Sequence, residues 1–512
     1  MGVLYVPGEG YTYGEKTEKL VEENVFIGAA RDTREVPTYD GSKDVLPYPF
    51  VDGREDFKEC YDKAWQIAFS NLRTPTEASG FCSRFIDTAF NGFLFMWDSS
   101  FIVMFGKYGA RAFDFQATLD NFYARQHPDG FICREICEAE GGDQFFRHDP
   151  SSTGPNILPW AEWLYYENFG DVERIKQVFP PLLAYHRWLR EHRTWRDGSY
   201  WTTGWGCGMD NSPRIERGRD PEFSHGHMVW IDACCQMILS GKILGKMASL
   251  IGREDDAKDV VAEAKYLSDY VNRNMWDEKT GFYYDLRREG LSGVKTLASY
   301  WALVAGIVPE ERVERFVSHL LNKDEFMRPH APATLSADDP DYHPFGGYWR
   351  GSVWAPTSYM VLKGLDLAGM TDAAQKIAEN HYSAVLKVYK DTGTFWENYA
   401  PDKIERGESG MTDFVGWTGL PPIAVYLEYI IGIKPDGKDH SIEWNVTRLE
   451  RHGVLRYPLG ADCDLDLICE ARENGNERPI VKAISKRGAP VRIKVKWHGG
   501  EYETTRVSIE AK

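Results

Sequence analysis

Residues 352–388 read SVWAPTSYMVLKGLDLAGMTDAAQKIAENHYSAVLKV. The stretch resolves into two amphipathic helical segments, 352–368 and 371–388, joined by a very short connection. Gly364 falls inside the first segment, and Gly369, just before Met370-Thr371, supplies the stop. The same style recurs on both sides of it. Helical patterns cover 54–71, 100–108, 111–125, 156–168, 171–192, 227–250, 254–274, 296–306, 309–321 and 416–431. Asp171 ahead of Val-Glu-Arg and the Pro309-Glu310-Glu311 opening read as helix starts. Sequence-adjacent pairs with alternating short and long connections predict a toroid of helical hairpins, its long loops gathered on one face. Periodicity alone does not separate a closed (α/α)6 barrel from an open solenoid, but the chain lacks the fixed-length repeat of a simple solenoid.

The ends have a different character. Residues 1–53 are rich in Gly, Pro, Tyr and Asp and predict an irregular N-terminal arm. After Pro435-Asp436-Gly437 the patterns Ile442–Val446, Asp464–Cys469 and Val491–Trp497 alternate apolar and polar residues between Gly, Asn and Pro. Residues 437–512 therefore predict a small antiparallel β domain, packed on a helical body that occupies 54–436 because so small a unit has little core of its own.

Composition narrows the function classes. A chain of 512 residues with net charge −17 repels nucleic acid and anionic membranes, so neither is an expected partner. No apolar stretch looks long enough to cross a bilayer. The N-terminus has no basic segment leading into an apolar core, and Met1-Gly2 lacks the Ser or Thr of an acylation signal. Nine Cys, an odd number with Cys234 and Cys235 adjacent, suit a reduced, cytoplasmic chain. His225-Gly226-His227 lacks a third ligand, so no metal and no cofactor is expected.

Four loop segments share one composition: aromatic residues beside a carboxylate or Arg, with a helix starting nearby. They are Phe93-Leu94-Phe95-Met96-Trp97-Asp98-Ser99, Gln126-His127-Pro128-Asp129-Gly130 followed by Arg134, Gly208-Met209-Asp210-Asn211-Ser212-Pro213-Arg214, and Gly346-Gly347-Tyr348-Trp349-Arg350-Gly351-Ser352-Val353-Trp354. Downstream come Phe395-Trp396-Glu397-Asn398-Tyr399 and Trp417. Each has a plain structural reading. Asp98 caps the following helix, Pro-Asp-Gly is a turn, Asp210-Asn211-Ser212-Pro213 is a turn and cap, and Arg350 stacks on Trp to close its loop. Asp210 and Glu397 also supply what glycosidic cleavage needs: one carboxyl to protonate the leaving oxygen and one to activate water or attack the sugar.

Taken in order, Trp97-Asp98-Ser99, Gly208–Arg214, Tyr348-Trp349-Arg350-Gly351-x-x-Trp354, Glu397-Asn398-Tyr399 and Trp417 resemble glycoside hydrolase family 63 over roughly residues 54–432. That family includes processing α-glucosidase and bacterial mannosylglycerate and glucosylglycerate hydrolases, and is more distantly similar to trehalase. The resemblance implies an (α/α)6 barrel and inversion at the anomeric carbon of an α-glycoside. It puts the acid on Asp210, the base on Glu397, and donor-sugar contacts on Trp97, Asp98, Trp349, Arg350 and Trp354. Phe95, Gln126, Met209, Tyr348, Tyr399 and Trp417 complete the expected substrate-binding set. One departure stands out. Where many members carry Glu-Ser-Gly-Trp before the acid, this chain has Gly206-Cys207-Gly208-Met209, so substrate identity does not transfer.

The expected activity is inverting, exo-acting hydrolysis of a small α-linked glucoside or mannoside, a disaccharide, oligosaccharide or glycosyl-glycerate. Inversion calls for carboxyl groups about 6.5–9.5 Å apart in one cavity, and a raised pKa on Asp210. Two alternatives remain at this stage. An (α/α)6-barrel epimerase or polysaccharide lyase would use His or Tyr as proton carriers, with His127, His148, His225, His227, His330 and His343 in or near loops. A non-catalytic sugar-binding protein would need neither carboxylate.

Overall fold

The computed structural model describes residues 21–504 and 508–509, apart from Phe90, Arg217 and 486–489. The expectations for the first twenty residues lie outside that range. Every helical segment expected from the sequence contains helix, but several differ in extent or winding. The segment at 100–108 begins earlier, as Met96–Gly106. The chain enters it directly from the strand Phe93–Phe95, which pairs with Glu135–Cys137, and Met96 N donates to Arg134 O at 2.8 Å. Asp98 therefore does not cap the helix. Phe95 stands at the cap position and Asp98 lies in the first turn. The segments at 111–125 and 296–306 shrink to a 3-10 turn followed by a short α-helix, Gln116–Leu119 with Asp120–Ala124 and Leu297–Tyr300 with Trp301–Val304. Leu420–Ile430 is wound with the wider π pattern, an uncommon geometry for a whole helix.

Helix ends follow their chemistry. The Asp171 side chain accepts from Arg174 N at 3.0 Å at the start of Val172–His192. Ile231–Ile251 and Thr371–Thr392 stop at Gly252 and Gly393, both left-handed. Ile231–Ile251 corrects one expectation: at 21 residues it is long and apolar enough to cross a bilayer by length and composition. Two-thirds of its most apolar window is buried inside the protein, as befits a core helix.

Contacts among the described helices close on themselves. Met96–Gly106 touches Leu158–Phe169, which touches Ile231–Ile251, then Trp301–Val304, Ala355–Leu367 and Leu420–Ile430, and the last returns to Met96–Gly106. These segments are apolar on nearly every side, as a position inside a second layer demands. Outside them pack more one-sided helices: Glu55–Ser70 and Thr371–Thr392 against Leu420–Ile430, Val172–His192 and Lys258–Asn274 against Ile231–Ile251.

Two sheets lie beside this helical body. One runs Tyr48–Val51, His452–Leu459, Cys463–Cys469, Val481–Ser485, Ser508–Ile509; the other runs Ile433–Asp436, Ser441–Asn445, Arg492–Trp497, Gly500–Thr504. The antiparallel expectation fails at two pairings. Ser441–Asn445 pairs parallel with Arg492–Trp497, and Val481–Ser485 pairs parallel with Ser508–Ile509. The sheets also begin at Ile433 rather than 437 and recruit Tyr48–Val51 from the N-terminal segment. Strand pairing across such sequence distance leaves no local signature. A single apolar cluster runs unbroken from the helices into both sheets.

Candidate active site

Asp210 sits in a turn that the preceding short helix Gly204–Cys207 sets up. Thr203 caps that helix and Gly208 ends it in the left-handed conformation, φ +74°. A side chain at Gly208 would meet the Trp97 ring at 3.0 Å, so glycine lets the turn lie flat on the indole. Beyond the turn, Arg214 is buried in ion pairs with Asp232 at 2.6 Å and Asp285 at 2.7 Å, with its guanidinium 4.5 Å from the Trp230 ring centre. It anchors the far end of the segment.

Asn211 joins the Asp210 turn to the 346–351 loop. Its Oδ1 accepts from Trp349 N at 2.8 Å and its Nδ2 donates to Gly347 O at 3.1 Å. Arg350 Nε adds a longer bond to Asn211 O, 3.4 Å. This loop is bent hard, with positive φ at Gly346, Gly347, Tyr348 and Gly351. Tyr348, at φ +67°, adopts a conformation uncommon for a non-glycine residue, the kind of strain that collects at functional sites. The bend carries the Tyr348 hydroxyl to Asp210, where it donates to Oδ2 at 3.3 Å. It also stacks Trp349 on Trp354 with ring centres 4.0 Å apart and planes 5° from parallel.

Glu397 is held from its own backbone. Glu397 N donates to Met411 O at 2.9 Å, Met411 N donates to Glu397 Oε2 at 3.1 Å, and Trp417 Nε1 donates to Glu397 O at 2.9 Å. One carboxylate oxygen is thus fixed while the other keeps its capacity for a ligand.

Asp210 and Glu397 line one cavity together with Phe95, Trp97, Asp98, Arg134, Trp205, Tyr348, Trp349, Trp354 and Trp417. Burial pushes Asp210 up to about 7, against the nearby Arg134 charge and the Tyr348 hydrogen bond, which pull it down. Burial likewise pushes Glu397 up to about 7, opposed by the Met411 N–H and reinforced by the charge of Asp210. Burial drives Asp98 well above the carboxylate range, and the charges of Glu135, Glu397 and Asp210 add to it. Asp98 Oδ1 and Trp97 Nε1 are buried without a hydrogen-bond partner among the described residues. A wall that offers an unused acceptor and an unused donor suits a ligand rich in hydroxyl groups.

Most of the expected site residues meet in this cavity, and four do not line it. Gln126 is committed elsewhere: its Nε2 donates to Gly130 O and Pro181 O, and its Oε1 accepts from Asn24. It braces a loop against the helix Val172–His192. Met209 is buried in the apolar core, Arg350 clamps the Asp210 turn from outside, and Tyr399 pairs through its backbone with Val353 while its hydroxyl accepts from Trp396 N at 3.3 Å. Trp205 and Arg134 line the cavity and stand outside the expected set. Where the family pattern led attention to Met209, the aromatic residue of this segment that lines the cavity is Trp205, flanked by two glycines in Gly204-Trp205-Gly206. Arg134 lies between the Phe145 and Trp205 rings, 4.8 and 5.2 Å from their centres, and is ion-paired with Glu135. Arg134 was already among the polar loop residues that the sequence singles out, in the segment that follows Gln126-His127-Pro128-Asp129-Gly130.

A family model described as the mannosylglycerate hydrolase MGH1-like glycoside hydrolase domain matches residues 93–418. An uncharacterized protein of Borreliella burgdorferi is 25% identical over 396 residues, 74% of this chain and 79% of that protein. A probable mannosyl-oligosaccharide glucosidase of Schizosaccharomyces pombe is 24% identical over 284 residues, and the matched region spans 49% of this chain but only 34% of the yeast protein. Among solved structures, the GH63 mannosylglycerate hydrolase of Thermus thermophilus in complex with glucose superposes with a TM-score of 0.58, at 21% identity, over 71% of this chain and 99% of that one.

Proposed function

The chain belongs to the mannosylglycerate hydrolase MGH1-like glycoside hydrolases, and from that premise we propose that it is an inverting, exo-acting α-glycosidase working on an (α/α)6 barrel. The closed ring of inner helices with one-sided helices outside it supports the barrel reading. The substrate is a small α-linked glucoside or mannoside: a disaccharide, an oligosaccharide or a glycosyl-glycerate. A reducing, cytoplasmic setting fits nine cysteines that form no disulfide.

In this mechanism Asp210 is the general acid. It enters protonated, kept so by burial, and gives its proton to the glycosidic oxygen as the bond to the anomeric carbon breaks. Glu397 is the general base. Ionised, and held through Oε2 by Met411 N, it takes a proton from water attacking the opposite face of the sugar. The indoles and Tyr348 supply flat apolar faces for the ring, and Asp98 accepts from a sugar hydroxyl. The observation that carries the reading is that Asp210 and Glu397 share one cavity with both carboxyls lifted to about 7. Neutral-pH acid catalysis needs that lift.

No histidine lines the cavity among the described residues, and Tyr348, its one tyrosine there, is pushed far above the phenol range by burial and by the Asp210 charge. Neither fits the proton carrier of a lyase or epimerase. Proton NMR on a panel of α-linked disaccharides and glycosyl-glycerates tests the proposal. The β-anomer should appear first, and Asp210→Asn should release no sugar. Initial release of the α-anomer would refute inversion.

A further inference from the structure

A second cavity opens where the helical body meets the sheets. Trp160, Trp163, Leu239, Ile243 and Val304 give it apolar walls. None of its lining residues belongs to the cavity that holds Asp210 and Glu397. Lys107 is also in its lining, and its side chain is only 4% exposed. A buried ammonium normally finds acceptors for its three protons. Lys107 Nζ makes no hydrogen bond within the described residues, and Glu428 Oε1 stands 4.0 Å away.

Glu428 is committed to other donors. It accepts from the hydroxyls of Tyr108 at 2.7 Å and Tyr359 at 2.8 Å and from Lys363 Nζ at 3.1 Å. Lys107 and Lys363 therefore share one carboxylate. Two further lysines, Lys242 and Lys246, are exposed members of the same lining. Lys242 donates to the carbonyls of Ala305 and Gly306, and Lys246 lies 5.4 Å from the Trp163 ring centre. Of the other acids in the lining, Asp366 pairs with Lys434 and accepts from Tyr429, Glu443 pairs with Lys496, Glu167 accepts from Trp163 Nε1, and Asp436 accepts from Asp439 N. Burial pushes Lys107 down to about 8, opposed by the charge of Glu428 and helped by that of Lys363.

We propose that this cavity is a binding site for a small organic anion, whose carboxylate or phosphate is taken by Lys107 with Lys246 at the rim while its carbon skeleton lies against Trp160 and Trp163. The site is separate from the hydrolytic cavity and does not depend on how that cavity works.

The test is isothermal titration of the full chain with 3-phosphoglycerate, with inorganic phosphate, and with glycerol as the uncharged control, each repeated on Lys107→Met and Lys246→Gln. Wild type should bind 3-phosphoglycerate and not glycerol. Binding of inorganic phosphate alone would overturn the organic-anion reading in favour of free phosphate. Lys107→Met should weaken binding by about tenfold or more, and Lys246→Gln by a smaller factor of about threefold. Glycosidase activity measured without the anion should stay at the wild-type level in both variants. Lys246 is exposed and tolerates exchange, so the second variant decides the matter if the first does not fold. Failure of wild type to bind either anion overturns the proposal, as does binding that both folded variants retain in full.

Discussion

At the residue scale the site is governed by desolvation. Asp210 and Glu397 are each raised to about 7 from ordinary values of 3.8 and 4.5, and the charge of Asp210 helps raise Glu397. With one carboxyl needed protonated and the other ionised, activity should follow a bell centred near neutrality. The Tyr348 hydroxyl donates to Asp210 and pulls its pKa down. Tyr348→Phe should then raise the Asp210 pKa and move the alkaline limb of the kcat/KM profile upward, a shift that a purely steric role would not produce. The same burial has a stability cost with a definite sign. A carboxyl whose pKa is raised on folding binds more protons folded than unfolded between its two pKa values. Stability therefore falls as pH rises from about 4 to about 7 through Asp210. Asp210→Asn removes that loss, so its melting temperature should exceed that of wild type at pH 8 and match it at pH 4; equal values at pH 8 would contradict the burial account. The two carboxylates that share the cavity were legible in the sequence because each carries an unusual local motif. Gln126 was misread because its loop, Gln126-His127-Pro128-Asp129-Gly130, has the same aromatic and polar style without reaching the cavity. Trp205 was missed because nothing in Gly204-Trp205-Gly206 marks which way the indole faces.

At the scale of elements, the geometry of the cavity rests on two loops that fasten each other. Asn211 bonds both Gly347 O and Trp349 N, and Tyr348 between them reaches back to Asp210. The strained Tyr348 conformation persists only because these bonds over-determine it. Asn211→Ala removes both, and Asp210 and the Trp349–Trp354 platform lose their common register. Such misplacement should lower kcat by about 10–100-fold, while stability drops by only about 1–3 kcal/mol for the two hydrogen bonds. Parallel losses in denaturant midpoint and in activity would instead mean a general structural role. The long amphipathic helices were readable from periodicity, as Val172–His192 and Thr371–Thr392 show. The inner segments were harder to bound. Met96–Gly106 is buried at every position, so no polar face marks its start, and Trp301–Val304 is too short to carry a period.

At the scale of the whole molecule, the sheets are either a passenger or part of one folded body. Nothing local to either segment signals that Tyr48–Val51 pairs with His452–Leu455, or that Ser441–Asn445 runs parallel to Arg492–Trp497. Such pairings are decided by tertiary packing and leave only local alternation to read. Their consequence is that segments from near the chain's two ends share one sheet, and the apolar cluster continues across the junction. Polar contacts fasten the same junction. Arg111 Nε pairs with Asp464 Oδ1 at 2.9 Å, and its other nitrogens donate to the carbonyls of Gly460, Ala461 and Cys463. Asn168 Nδ2 donates to Pro458 O, and Trp444 Nε1 donates to Ile431 O at 2.7 Å. A shared core makes unfolding of one part expose the other, so the two should melt together. Differential scanning calorimetry of wild type should give a single peak. Arg111→Ala leaves several carbonyls without their donor and should cost about 2 kcal/mol, moving that peak down by a few degrees without splitting it. Two resolved transitions in wild type, with only the lower one sensitive to Arg111, would mean instead that the sheets fold as an independent unit.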